Sequence, residues 1–166
     1  MAMFKFHDSN FLGVANHPDY KVATAQVLKN GYGVTIDNQA KTATPCVATA
    51  TDIYIVMNII DAADVKNTDD VEFKGGDYLR LFRMQDLTGR EFDMSADLIT
   101  GTAPTTTNKY LVADGKGTWK AVALSGLVKD APYFEVVKET TFGSFIVEKK
   151  KGYLVKAGFN HVTPTA

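Results

Sequence analysis

The feature that most restricts the fold is a rhythm. Runs of β-branched and aromatic residues are cut, along nearly all of the chain, by glycine, asparagine or aspartate. Such runs read as strands and the residues between them as turns. YKVATAQVLKNG (20–31) opens the series. GYGVTIDNQ (31–39) follows across a turn at Lys29, Asn30 and Gly31 and closes at Asp37 and Asn38. TATPCVATAT (42–51) is small and threonine-rich; Pro45, which has no N–H to give to a ladder, places it at an edge or makes it irregular. IYIVMNII (53–60) is the longest strongly apolar stretch and reads as a central buried strand.

After an acidic, polar connector at 61–70, the segments VEF, KGGD and YLRLFRMQ read as strand, turn and strand. DLTG (86–89) has the aspartate-first, glycine-last order of a type I turn. REFDMS (90–95) then continues as the partner strand, with Phe92 and Met94 on one face. TGTAPTTTN (100–108) has little power to form a core and reads as a linker or long exposed loop. KYLVA, DGKG and TWKAVAL make a hairpin signal. YFEVVKETT, FGSFIVEKK and GYLVKAGF give three closing runs, with turns expected near Thr141–Gly143 and at Lys151 and Gly152. The tail NHVTPTA is polar.

No segment carries the apolar stripe of an amphipathic helix longer than about three turns. The expected fold is therefore all-β or β-dominated, an antiparallel barrel or sandwich with an extended N-terminal arm and little helix. The expected organisation is an arm over 1–20, a β lobe over 21–99, a linker over 100–108 and a β lobe over 109–166, the two lobes packed as one domain. Lysine and glycine precede an aromatic in KGGDYLRLF, KGTWKAVAL and KKGYLVKAGF, but at irregular spacing, so reused turn chemistry explains them better than an internal repeat.

Composition narrows the function classes. At 166 residues and 45% hydrophobic content the chain can build its own core. Eighteen basic against nineteen acidic residues leave a net charge of -1, which gives no general attraction to nucleic acid or anionic membrane. The single cysteine, Cys46, allows no intrachain disulfide and reads as a small buried apolar side chain rather than a reactive thiol. The N-terminus lacks the apolar core of a signal peptide and no stretch is long enough for a transmembrane helix, so the expectation is a soluble protein made in a cytoplasm.

Candidate chemistry is sparse. KGGD has its lysine before the glycines, a strand rather than a helix after them, and the acid Asp77 beside them, so a phosphate loop is the weaker reading and a turn the stronger. His7, His17 and His161 show no metal-ligand spacing, and no cofactor or metal is expected. Ser9, Ser95, Ser125 and Ser144 include no nucleophile elbow. The carboxylates Asp69, Asp70, Glu72, Asp77, Glu91, Asp93 and Asp97 keep a β-scaffold glycoside hydrolase open as an alternative, with solvation as their ordinary role. A small barrel binding single-stranded nucleic acid is the other alternative, with Tyr78, Arg80, Phe82 and Arg83 and the lysines 149–151 as its material; the neutral net charge speaks against it.

The N-terminal segment holds Phe4, Phe6, Phe11, Leu12 and Tyr20 without a clean period. It reads either as an arm that packs on a partner or neighbouring subunit, or as a segment folded back over its own barrel.

Taken together, the threonine- and alanine-rich β composition, TATPCVATATDIYIV, VEFKGGDYLRLFRMQDLTGREFDMS and the arm at one end resemble the decoration, cement and head-fibre-base proteins of tailed-phage capsids. The resemblance implies a non-catalytic virion protein, made in the host cytoplasm, that binds the outside of an assembled capsid, often as a trimer, and clamps neighbouring subunits. The partner implied is the major capsid protein or another virion protein. The candidate contact residues are then Phe4, Phe6, Phe11, Leu12 and Tyr20 in the arm, with Arg80 and Arg83 on the YLRLFR strand.

Overall fold

In the computed structural model the described residues are 4–6, 16–58, 71–142 and 150–161. They form β1 (Phe4–Phe6), β2 (His17–Val22), β3 (Val27–Leu28), β4 (Gly33–Asp37), β5 (Thr42–Pro45), β6 (Tyr54–Val56), β7 (Phe73–Lys74), β8 (Tyr78–Arg83), β9 (Glu91–Ser95), β10 (Ile99–Thr100), β11 (Tyr110–Ala113), β12 (Trp119–Val122), β13 (Ala131–Phe142) and β14 (Lys150–Asn160). The only helical elements among the described residues are short 3-10 turns at Met84–Leu87, Ala96–Leu98 and Leu124–Gly126. The protein is β-dominated, as its rhythm predicts.

Two assemblies share the chain. Five strands close into a barrel in the order β2-β5-β4-β6-β8, with β2 and β5 its one parallel junction. Seven strands form a sheet in the order β1-β9-β14-β13-β11-β12-β10, and β3 and β7 make a separate two-stranded ribbon. β6 lies between β4 and β8, the central position that its apolar run implies. Pro45 ends β5 where only β4 flanks it, because β2 pairs with Thr42 and Ala43 alone. The missing proline N–H therefore breaks no ladder.

Strand alternation sorts the side chains into two cores. Along β8, Leu79 and Leu81 point into the barrel, where Tyr20, Val22, Val34, Ala43, Tyr54 and Val56 join them. Phe82 and its partner Ile55 point the other way and pack against the inner face of the sheet, with Phe92, Met94, Phe134, Val155 and Trp119. Trp119 is fully buried, and its indole N–H donates to the Gly31 carbonyl at 2.9 Å, tying sheet to barrel. Gly33 sits under this contact: a Cβ there would come within 3.0 Å of the Cys46 sulfur and 3.1 Å of the Trp119 ring. The core on the inner sheet face draws residues from both sides of 100–108, from Phe4 through to Ala157.

Several expectations need correction. The arm over 1–20 is not a free extension where it is described. Phe4–Phe6 pairs antiparallel with β9, and His17–Tyr20 belongs to a barrel strand. REFDMS does not return along YLRLFRMQ; β9 pairs with β14 and β1 instead, because the 3-10 turn at Met84–Leu87 carries the chain from barrel to sheet. Lys151 and Gly152 are not a turn but lie inside β14, where Gly152 is buried opposite both Ser95 and Thr140. KGGD is a turn: Asp77 N donates to the Lys74 carbonyl at 2.9 Å, and Gly76 holds φ +95°. A positive φ at that third position is the type II requirement that glycine meets. The strands on its two sides do not pair with each other, so it passes the chain from ribbon to barrel.

Candidate interaction site at the edge of the long hairpin

β13 and β14 form the longest hairpin, twelve residues against eleven, with partners from Ala131 and Asn160 out to Phe142 and Lys150. At the antiparallel rise of about 3.4 Å per residue the ribbon runs for about 40 Å. Its two ends differ. At the root, β11 flanks β13 through Tyr110–Glu135 and Leu111–Phe134. The last bond on that side is Val136 N to the Lys109 carbonyl at 2.8 Å. N-terminal to Lys109 the chain turns on itself: Asn108 N donates to Thr105 Oγ1 at 3.1 Å, and Thr105 N to the Asn108 carbonyl at 3.3 Å. The threonine-rich loop thus peels away from β13 just where it would otherwise continue as its neighbour. Beyond Val136 no strand among the described residues lies on that side of β13.

Beside the peeled loop lies an open groove of about 750 Å³, which runs from Pro104 and Lys109 across β13 at Glu135 and Val137 to Lys156 on β14 and Glu91 on β9. The register shifts between Val136 and Lys138, so Val137 is the extra residue of a β-bulge and stands 51% exposed. The charges beside the groove neutralise one another locally. Lys109 Nζ meets Glu135 Oε1 at 2.6 Å, and Lys151 Nζ meets Glu139 Oε2 at 2.7 Å. The hydrogen bond to Glu135, with that carboxylate's charge, holds the Lys109 ammonium above its ordinary pKa. Lys156 lies cross-strand from both Glu135 and Glu91.

The residues proposed from sequence fall elsewhere. Phe4 is 5% exposed, stacked on Phe92 at 4.9 Å and tilted against Phe134 at 5.7 Å, so its ring is taken up by its own core. Phe6 takes its place in β1 opposite Phe92. Phe11 and Leu12 lie outside the described residues. Tyr20 is buried in the barrel, and its hydroxyl donates to Asn38 Oδ1 at 2.5 Å. Arg83 Nε donates to Asp52 Oδ1 at 2.7 Å. Arg80 rests its guanidinium 5.1 Å from the Phe82 ring, and its buried Nε has no hydrogen-bond partner among the described residues. Tyr78, Arg80 and Phe82 share the outer side of β8, but the sheet roofs Phe82 and leaves it 2% exposed. Tyr78 is 63% exposed, with Lys21 Nζ 4.5 Å from its ring centre.

The remaining chemical candidates have local tasks. Asp77 accepts from Lys74 N at 2.7 Å across its own turn, Glu72 pairs with Lys29 at 3.2 Å, and Asp93 with Lys5 at 3.8 Å. Asp69 and Asp70 lie outside the described residues, as do His7 and Lys149. His17 packs edge-on to Tyr54 at 5.4 Å, and His161 lies against Phe159 at 4.7 Å. Cys46 is the buried apolar side chain expected: burial first, then the charge of Asp114, push its thiol up to about 12. No cluster of histidine, cysteine and carboxylate able to hold a metal occurs among the described residues.

Sequence reading missed the groove. One signal for it was present: Val136 and Val137 stand together in YFEVVKETT, breaking the alternation that the rest of the strand keeps, as a bulge does. That the 100–108 loop lies beside this bulge is a tertiary fact no local pattern carries. Comparison with family models, with curated proteins and with solved structures found no match.

Proposed function

We propose that this chain is a non-catalytic structural protein of a tailed-phage particle, binding the outside of an assembled capsid and stabilising it. The observation that supports this reading is the long β13–β14 hairpin, anchored in the core at its root and flanked by no described strand along one edge further out. A rigidly rooted ribbon with a free edge suits a clamp, because it engages neighbours through backbone and modest apolar contact without a catalytic centre. Many copies on a shell, each adding a small term to the assembled state alone, then stabilise it by mass action. In this reading the partner is the major capsid protein or another virion protein, and the chain acts as an oligomer, the trimer being the form its family resemblance implies.

The test is electron microscopy of the phage particle, with sedimentation of purified shells mixed with the chain. The expected outcome is density for the chain on the outer surface and co-sedimentation that raises the temperature at which shells break. Absence of the chain from every particle and shell would sink the reading. Binding of single-stranded nucleic acid keeps one observation in its favour, the exposed Tyr78 beside Lys21 and Arg80 on the barrel wall. It predicts salt-dependent anisotropy changes with an oligonucleotide that Tyr78→Ala weakens.

A further inference from the structure

We infer that Asn30 is a guarded deamidation site: a relay of two asparagines keeps its side-chain amide from closing onto Gly31, and once that ring closure occurs the relay cannot re-form. This site is independent of the capsid reading. Asn30 and Gly31 are the chain's one Asn–Gly pair. With no Cβ on the following residue, the peptide nitrogen reaches the neighbouring carboxamide with least hindrance. In that reaction the Gly31 nitrogen bonds to Asn30 Cγ, the Cγ–Nδ2 bond breaks, and ammonia leaves with the proton of the peptide nitrogen. Water then opens the cyclic imide at either carbonyl, giving aspartate or isoaspartate.

Both reacting groups are held. Gly31 is buried, its N–H donates to the Val56 carbonyl at 2.8 Å, and its own carbonyl accepts the Trp119 indole N–H at 2.9 Å. The Asn30 carboxamide grips the backbone of Asn58 as a strand would: Nδ2 donates to the Asn58 carbonyl at 3.0 Å and Oδ1 accepts from Asn58 N at 2.7 Å. Asn58 repeats the grip on β8, where its Nδ2 donates to the Tyr78 carbonyl at 3.0 Å and its Oδ1 accepts from Arg80 N at 2.6 Å. A side-chain amide carries the donor and acceptor of a peptide, so the two asparagines continue the barrel ladder beyond the end of β6 at Val56. Ring closure must break both bonds of Asn30 and the Gly31 bond to Val56 together, which requires local opening between the 29–31 turn and β6. Either product bars the return. Aspartate, ionised at neutral pH, has no N–H for the Asn58 carbonyl, so two oxygens meet where a hydrogen bond stood. Isoaspartate adds a backbone carbon next to Gly31, where even a Cβ would meet Leu98 Cδ1 at 2.5 Å and Phe4 Cβ at 2.7 Å. Opening of this junction is thereby converted into a lasting mark.

The test follows the full chain in mildly alkaline buffer, with peptide mapping by mass spectrometry to read amide-to-acid conversion at Asn30. Conversion in the folded chain is expected to be at least about tenfold slower than in the same chain unfolded in urea. Across low urea concentrations it is expected to track hydrogen exchange at the Gly31 amide, since both need that N–H released. Asn58→Ala, which cuts the relay from β8, is expected to speed conversion severalfold in a chain that circular dichroism shows to be folded. Asn30→Asp, the mimic of one product, is expected to lower the urea midpoint and to speed exchange at the Gly31 and Arg80 amides. Equal rates in the folded and unfolded chain, or a rate in low urea that ignores Gly31 exchange, would overturn the guarded site, and neither result depends on a variant that folds. Asn58→Ala converting no faster than the parent would overturn the relay. Asn30→Asp with the parent's midpoint and exchange would overturn the barrier to return.

Discussion

The root and the outer half of the β13–β14 hairpin are continuous in backbone and opposite in surroundings. At the root, Phe134 is fully buried among Phe4, Phe92 and Trp119, and Val155 and Ala157 face the same core. β11 flanks β13 there, while β9 flanks β14 from Lys156 at the root past the bulge to Gly152. Past the bulge, Val137, Lys138 and Glu139 are exposed, and the β11 side of the strand has no neighbour among the described residues. Burial, and not strand length, therefore decides which half of β13 carries the core and which is exposed. The bulge at Val137 divides them.

Substitution at the root breaks the comparison most severely. Phe134→Ala deletes the ring that Phe4, Phe92 and Trp119 meet at tilted and edge-on angles, and is expected to cost about 3–5 kcal/mol, read as a lower urea midpoint at unchanged slope. A loss no larger than that of a surface change would mean that the ring is not the anchor. Next in size is the turn that fixes β11 to β12. Asp114 accepts from Thr118 Oγ1 at 2.5 Å, Thr100 Oγ1 at 2.9 Å and Lys116 N at 2.7 Å. Burial works to raise its pKa, but these hydrogen bonds outweigh it and hold the carboxyl below the ordinary aspartate value. The stabilisation is then present above the ordinary aspartate pKa and fades as pH falls through the lower folded value. Asp114→Ala is expected to cost about 2 kcal/mol at neutral pH. It should also flatten part of the stability loss on acidification, which urea melts along a pH series would show.

What the sequence made legible follows the same division between local and distant. The β11–β12 hairpin could be read because DGKG is a turn by its own chemistry, and Gly115 and Gly117 take positive φ there, +92° and +89°. Strand identity over 33–37, 42–45 and 54–56 could be read because alternation and apolar runs are local. Pairing across the chain could not. β9 lies beside β14 rather than β8, a choice made by the packing of Phe92 on Phe134 and not by any nearby turn. Gly152 imitated a turn residue, yet it serves as a buried strand position in line with Ser95 and Thr140. Apolar character in the N-terminal segment does not say which chain will bury it. For Phe4 the answer is its own.

A third test moves to the outer half and should reverse the sign. The Thr140 hydroxyl is enclosed and has no hydrogen-bond partner among the described residues. An orphaned buried hydroxyl costs desolvation without return, and valine keeps its β-branched shape. Thr140→Val is therefore expected to raise stability by about 1 kcal/mol, where Phe134→Ala lowers it several times as much. A destabilised variant would show that the hydroxyl is bonded in solution and that this half is more structural than its surroundings suggest.

The smallest expected change tests the division itself. Val136 packs against the core while Val137, its neighbour across the bulge, stands exposed. If the bulge marks the boundary, Val137→Lys leaves the thermal and urea transitions within about 0.5 kcal/mol of the parent, because an exposed side chain away from caps and networks holds little folding energy. The same change places a charge at the mouth of the groove. Unchanged stability would set the limit of the structural half at the bulge. A cooperative loss of stability from Val137→Lys would instead extend the structural half past the bulge and leave a shorter open edge.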